Sequence, residues 1–331
     1  MEIDLYDEVL DLTLTLAYGV YYDSNVITRG VTVKNGKKGA LKLRRVMSLQ
    51  LDLFDSDYLL TTFDGNWAME RTPHQKPLSQ GIFVNDSKIG SSSSRHNPLI
   101  LLQRPQTTEE AGECYGFNLI YSGNHYEAVE VTHFGKTRVL SGINPTNFSW
   151  ELKEGESFES PQAVMTYSSQ GLNVLSQQFH RFIQQHIVRG VWKNRERPVL
   201  VNNWEGTYFD FDEQKLLDMA KEASLLGIEL FVLDDGWFGK RNDDQRSLGD
   251  WVVNQEKLPH GIAGLCEQVN LLGMQFGLWV EPEMVSEDSD LYREHPDWAI
   301  QLPNRVPALS RTQLVLDYTR QEVRDYVVEA L

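Results

Sequence analysis

Along the first 170 residues, apolar and polar positions alternate with period two in short runs. Leu12-Thr13-Leu14-Thr15-Leu16 and Val31-Thr32-Val33 are the clearest; Met47 to Leu53, Val129-Glu130-Val131-Thr132 and Phe148 to Leu152 are further runs. Such alternation sets one strand face against a core and the other in water, as in antiparallel sheets. Turn formers separate the runs: Asn35-Gly36, Asp64-Gly65, Ser122-Gly123 and Lys153-Glu154-Gly155. Many short strands at this spacing predict a sandwich over residues 1–170, with Ser91-Ser92-Ser93-Ser94 as one of its loops.

The period changes near Gly171. Leu172, Leu175, Phe179, Phe182, Ile183 and Ile187 recur at three- and four-residue steps, which predicts an amphipathic helix. The polar, basic stretch Lys193-Asn194-Arg195-Glu196-Arg197-Pro198 follows it, so residues 171–197 read as a linker helix and join. From Pro198 strands and helices alternate. Val199 to Val201 is a short strand, and Asp212 caps a helix through Leu216, Leu217, Ala220 and Ala223 that stops at Gly227. Residues 228–233 form a second strand, about Ile262 to Leu272 a second helix, and Met274 to Val280 a third strand. These β/α units over 198–331 predict a parallel sheet, as a barrel or a doubly wound fold. No Gly-x-Gly-x-x-Gly follows the first strand, which weakens the dinucleotide-binding alternative.

A net charge of −16 argues against nucleic acid and anionic membranes as partners. The two cysteines, Cys114 and Cys266, form no disulfide framework and fit a reducing compartment. No stretch reaches the ~20 apolar residues of a membrane span, and the N-terminus is acidic, without a signal peptide's basic and apolar regions. A cytoplasmic location is the expectation. The eight histidines are scattered, without His-Glu-x-x-His or Cys-x-x-Cys, so neither metal nor cofactor is expected.

Candidate chemistry gathers where the strands end. Trp204 follows the first strand, Asp234-Asp235-Gly236-Trp237 the second, and Trp279, Glu281 and Glu283 lie at or after the third. Arg311 and Asp317 fall in the long connection beyond. In sheets flanked by helices, ligands bind at the carboxyl ends of strands. Carboxylates accept from sugar hydroxyls while indoles cover a C–H face, so this set suits a carbohydrate. Each residue also has a plain structural reading: the aspartates as a solvated turn, the tryptophans as core, Arg311 as a surface charge, Asp317 as a helix cap, and the glutamates as a supporting pair behind the site or as partners in a salt bridge at the barrel rim.

Several longer motifs complete the picture: Asn202-Asn203-Trp204-Glu205, Leu233-Asp234-Asp235-Gly236-Trp237-Phe238-Gly239 running on to Arg241-Asn242-Asp243-Asp244, Leu248-Gly249-Asp250-Trp251, Gly277-Leu278-Trp279-Val280-Glu281-Pro282-Glu283-Met284 and His295-Pro296-Asp297-Trp298. In these the chain resembles glycoside hydrolase family 36, the larger bacterial type of α-galactosidase. The resemblance implies a β-supersandwich followed by a (β/α)₈ TIM barrel, and retaining hydrolysis of terminal α-galactosyl residues from raffinose- and melibiose-like sugars. It implies that Asp234 and Asp235 hydrogen-bond galactose hydroxyls, that Trp204 and Trp279 wall the galactose subsite, and that Arg311 contacts the sugar. It also implies a homo-oligomer, a tetramer in many members. A relative acting on α-N-acetylgalactosamine or transferring galactosyl groups is the alternative within the enzyme class. A non-catalytic sugar-binding or structural chain is the alternative outside it.

The family's Lys-Trp-Asp motif, which carries the nucleophile, does not occur in the chain. Only 134 residues run from Pro198 to Leu331, whereas a complete barrel needs roughly 250. The expectation is therefore an internal fragment with an N-terminally incomplete sandwich and the first part of a barrel. The nucleophile and acid/base would then lie beyond Leu331.

Overall fold

The alternating runs of the N-terminal part become strands in the computed structural model, which describes residues 1–331 as two units, Met1–Asn194 and Arg195–Leu331. The first unit contains β1 (Glu2–Asp7), β2 (Leu12–Tyr21), β3 (Val26–Asn35), β4 (Leu41–Leu43), β5 (Met47–Leu53), β6 (Leu59–Asp64), β7 (Thr72–Pro77) and β8 (Gly81–Asp86). It continues with β9 (His96–Gln103), β10 (Cys114–Ile120), β11 (His125–Val131), β12 (Thr137–Ile143), β13 (Trp150–Leu152), β14 (Ser157–Glu159) and β15 (Gln162–Ser168). Nine strands form one antiparallel sheet in the order β1-β2-β3-β15-β10-β9-β6-β7, with β14 also on β3. A second sheet has the order β5-β12-β11-β8, and β4 pairs with β13. Leu49, Val129 and Val139 of the smaller sheet bury against Leu60, Leu102, Phe117 and Leu119 of the larger, which makes a sandwich. The run expected to start at Phe148 becomes a strand only at Trp150. The Phe148 amide donates to the Pro145 carbonyl, and Asn147 takes a left-handed φ of +59°, so a turn occupies those residues.

Helix α1 (Gly171–Phe182) buries Leu175, Phe179 and Phe182, the apolar stripe read from its spacing. It packs on β10 and β15, so its stripe is core of the first unit. The boundary between units falls at Asn194–Arg195, inside the polar stretch read as a join.

In the second unit β16 (Leu200–Asn202), β17 (Leu230–Leu233) and β18 (Gln275–Leu278) form a parallel sheet in that order. The short α2 (Trp204–Thr207) and the longer α3 (Glu213–Leu225) join β16 to β17; α4 (Gly261–Leu271) precedes β18. The Asp212 carboxylate accepts from the Lys215 amide at 2.8 Å, capping α3. Gly227 and Gly273 follow α3 and α4 with φ of +82° and +80°, the left-handed stop that glycine tolerates. Phe231 and Leu233 pack on Leu216 and Ala220 of α3 and Leu265 and Val269 of α4. Beyond β18, β19 (Met284–Ser286) pairs antiparallel with β20 (Gln313–Val315), and α5 (Asp290–Glu294) and α6 (Gln321–Ala330) complete a second core around Leu291, Trp298, Leu314 and Val323. No helix is long and apolar enough to cross a membrane.

Candidate carbohydrate site

Parallel register decides what meets at the strand ends. Asn202 stands beside Val232, and Leu233 beside Leu278, so the residues that follow each strand emerge together. The Asn202 amide donates to Asp234 Oδ2 in a short bond, and its Oδ1 accepts from the Trp204 amide at 2.6 Å. Asn203 is fully buried; its Oδ1 accepts from the Asp234 amide at 2.8 Å while its Nδ2 donates to Thr207 Oγ1. Asp234 Oδ1 accepts from the Asp235 amide at 2.7 Å. Asp234 is thus fixed by neutral donors, half-buried, and paired with no cation. Its carboxyl oxygens keep spare lone pairs for hydroxyl donors.

Asp235 differs sharply. Its side chain is 4% exposed, and Arg241, at 0%, holds it through Nε and Nη2 at 2.9 and 2.8 Å. The sequence reading treats the two aspartates as equivalent sugar ligands, but the structure gives them different surroundings. Gly236 turns the chain at φ +99°, where a Cβ would stand 3.0 Å from the Phe209 ring. Lys257 then ties the loop, donating to the carbonyls of Phe209 and Gly236 at 3.0 Å each. Burial holds its ammonium below the usual lysine range.

The aromatic residues also divide. Trp237 is buried, stacks on Trp251 at 6.1 Å and donates to the Trp279 carbonyl at 3.0 Å, so it is core. Trp204 and Trp279 are half-buried, each with surface left for a ligand; Trp204 is braced edge-on by Tyr208 and Phe209. Burial pushes the Glu281 carboxyl above its usual range; Glu283 and Asp235 push the same way, while Arg311 and Arg241 oppose. Those influences place Glu281 among the same charges as Arg311. Glu283 itself is exposed.

Arg311 and Thr312 are the central pair of a tight turn in which Ser310 and Gln313 exchange backbone hydrogen bonds. Both have left-handed φ, +52° and +65°, a conformation unfavourable for side-chain-bearing residues and concentrated at functional sites. Asp317 accepts from the Thr319 amide and hydroxyl at 3.0 and 2.6 Å, bonds that hold its carboxyl below the usual range. It orders the turn before α6 but, contrary to the plain sequence reading, does not cap the helix: the N-cap of α6 is Arg320, without a side-chain cap bond. Arg241 and Lys257 received no role from sequence. The available signal was electrostatic: a carboxylate doublet at a buried strand end requires a nearby cation.

Residues 1–153 match the model of the glycosyl hydrolase family 36 N-terminal domain, and residues 157–331 match the melibiase model. The chain is 50% identical over 331 residues to alpha-galactosidase AgaA of Geobacillus stearothermophilus, covering 100% of this chain and 45% of that protein. It is 47% identical over 329 residues to alpha-galactosidase Mel36A of Lactobacillus acidophilus, covering 99% of this chain and 45% of that one. The crystal structure of the Geobacillus enzyme superposes with a TM-score of 0.97 at 51% identity, covering 99% of this chain and 46% of that chain. Variants of that enzyme have been solved with raffinose and with stachyose. The chain spans less than half the length of these relatives. The likeness identifies the N-terminal sheets as the family's sandwich and β16–β18 as the opening of its TIM barrel.

Proposed function

We propose, since this chain belongs to glycosyl hydrolase family 36, that the whole protein is a retaining α-galactosidase acting on raffinose- and melibiose-type oligosaccharides. One observation carries the reading: Trp204, Asp234 and Trp279 follow three adjacent parallel strands, with a fixed, cation-free carboxylate beside two half-buried indoles. Asp234 accepts from galactose hydroxyls, Trp204 and Trp279 cover the sugar's C–H face, and Arg311 donates to it from its turn. Asp235 contributes the lone pairs that Arg241 leaves free. Retention needs two carboxyls about 5–5.5 Å apart, one attacking the anomeric carbon and one protonating the leaving oxygen. We assign both to residues outside 1–331, because Asp317 is engaged in a turn and the chain lacks Lys-Trp-Asp. Raffinose and stachyose bound to variants of the Geobacillus relative support the substrate class.

A cytoplasmic location and homo-oligomeric assembly belong to the same proposal. Cys114 and Cys266 are free thiols, which suits a reducing compartment. The homo-oligomer rests on the family likeness. The test is hydrolysis of nitrophenyl α-galactoside, β-galactoside and α-glucoside by the complete protein and by residues 1–331. The expected result is turnover of the α-galactoside alone, by the complete protein alone. Turnover by residues 1–331 would overturn the assignment of the carboxylates and make Glu281, Glu283 and Asp317 the first to substitute.

A further inference from the structure

We propose that Arg241 is a positioning residue that sets the two strand-end carboxylates for sugar binding, acting through Asp235; this rests on the galactose-subsite reading above. Arg241 heads the fully buried side chains by volume. A guanidinium out of water is costly unless paired with good geometry. Here Nε reaches both carboxylate oxygens of Asp235, at 2.9 and 3.2 Å, and Nη2 reaches Oδ2 at 2.8 Å. Nη1 donates to the Arg246 carbonyl at 2.9 Å, and the Phe209 and Phe238 rings lie 5.8 and 6.0 Å from the cation. The planar fork therefore fixes the Asp235 carboxylate in orientation as well as charge, which a lysine cannot reproduce.

The constraint passes to Asp234 along a short path. The Asp235 amide donates to Asp234 Oδ1, and the other oxygen takes the Asn202 amide. Rotation of the Asp235 peptide would pull one of the two groups that aim Asp234. A carboxylate offers about four lone-pair sites, so Asp235 retains acceptor capacity beside the fork. Lys257 provides a built-in comparison. It is a second cation on the same loop, half-buried, and its hydrogen bonds go to the carbonyls of Phe209, Gly236 and Arg241.

The test uses the complete protein with Arg241→Lys, Arg241→Gln and, as a structural comparison, Lys257→Met. For nitrophenyl α-galactoside, Arg241→Lys is expected to raise KM, and weaken inhibition by free galactose in parallel, by about tenfold or more. Its kcat should stay within about threefold, the pattern of lost uniform binding. Lys257→Met should lower the melting temperature with KM unchanged. If Arg241→Lys and Arg241→Gln instead lower melting temperature with KM and galactose affinity intact, the proposal is overturned. Failure of both Arg241 variants to give folded protein would assign Arg241 to the fold and overturn it equally. Absence of turnover by the unsubstituted protein would sink the α-galactosidase reading; galactose binding, followed by calorimetry, would then decide the role of Arg241 separately.

Discussion

His125 and Glu127 point from one face of β11 into the first unit, and both are buried. Neither ring nitrogen of His125 has a protein partner, and burial pulls its imidazole down to about 4. Between pH 6.5 and 4 the unfolded chain therefore binds the proton that the folded chain refuses, and stability falls as pH falls through that window. The gap corresponds to about 3 kcal/mol. Glu127 works the other way: burial raises its carboxyl, so the folded state holds a proton the unfolded chain releases above about pH 4.5. Its penalty grows as pH rises. Glu127→Gln keeps an acceptor for the Asn85 amide, and urea titrations should show it more stable than the parent at pH 7 to 8 and equal at pH 4. His125→Gln should flatten the acid limb between pH 6.5 and 4; an unchanged limb would refute the account. At this scale sequence reading locates the side chains at strand ends better than it describes their partners. Trp204, Asp234 and Trp279 could be placed because strand ends are legible. The capture of Asp235 by Arg241 could not, because it depends on how the loop after Gly236 folds back.

Elements declare themselves by period, and their docking partners do not. The stripe Leu172, Leu175, Phe179, Phe182 announces α1 but serves a linker or a core equally well. What decides is Gly116, far upstream in β10, where a Cβ would stand 2.4 Å from the Phe179 ring. The missing side chain is the seat for the helix. Gly116→Val should therefore destabilise the first unit by overpacking, by about 1–3 kcal/mol. Phe179→Ala, which empties the same contact, should cost about 3–5 kcal/mol. Denaturant midpoints check both, and a neutral Gly116→Val would show that α1 does not seat there. The cap on α3 is the opposite case, readable from Asp212 alone because capping is local. Asp212→Ala should cost about 1 kcal/mol, visible in the melting of the second unit with the first unchanged.

The two units differ in how their sheets are closed. In the first, two antiparallel sheets share a core, and β10, β11, β12 and β15 are each paired on both sides. In the second, β17 is paired on both sides, while β16 and β18 each have a partner on one side only. Val199, Leu200, Leu225, Leu226 and Leu271 are exposed around that small sheet. Strand edges and apolar surface without cover lower the free energy of local opening. The existence of the second and third strands was legible because α3 and α4 each end in a glycine before a strand. Their energetic inequality was not, since it depends on neighbours along a sheet rather than on the strand's own residues. In residues 1–331, hydrogen exchange should rank amides accordingly. Those of β10, β11, β12 and β15 should exchange slowest, and β17 should come next. The β16 and β18 amides should open faster than those of β17, because each of these strands bonds to β17 alone. Mass-spectrometric exchange at several pH values separates opening from chemistry. If residues 228–280 of a monomer were protected as strongly as β10 and β15, edge exposure would not govern the second unit. Its stability would then have to come from the helix contacts of Leu216, Ala220, Leu265 and Val269 on Phe231 and Leu233.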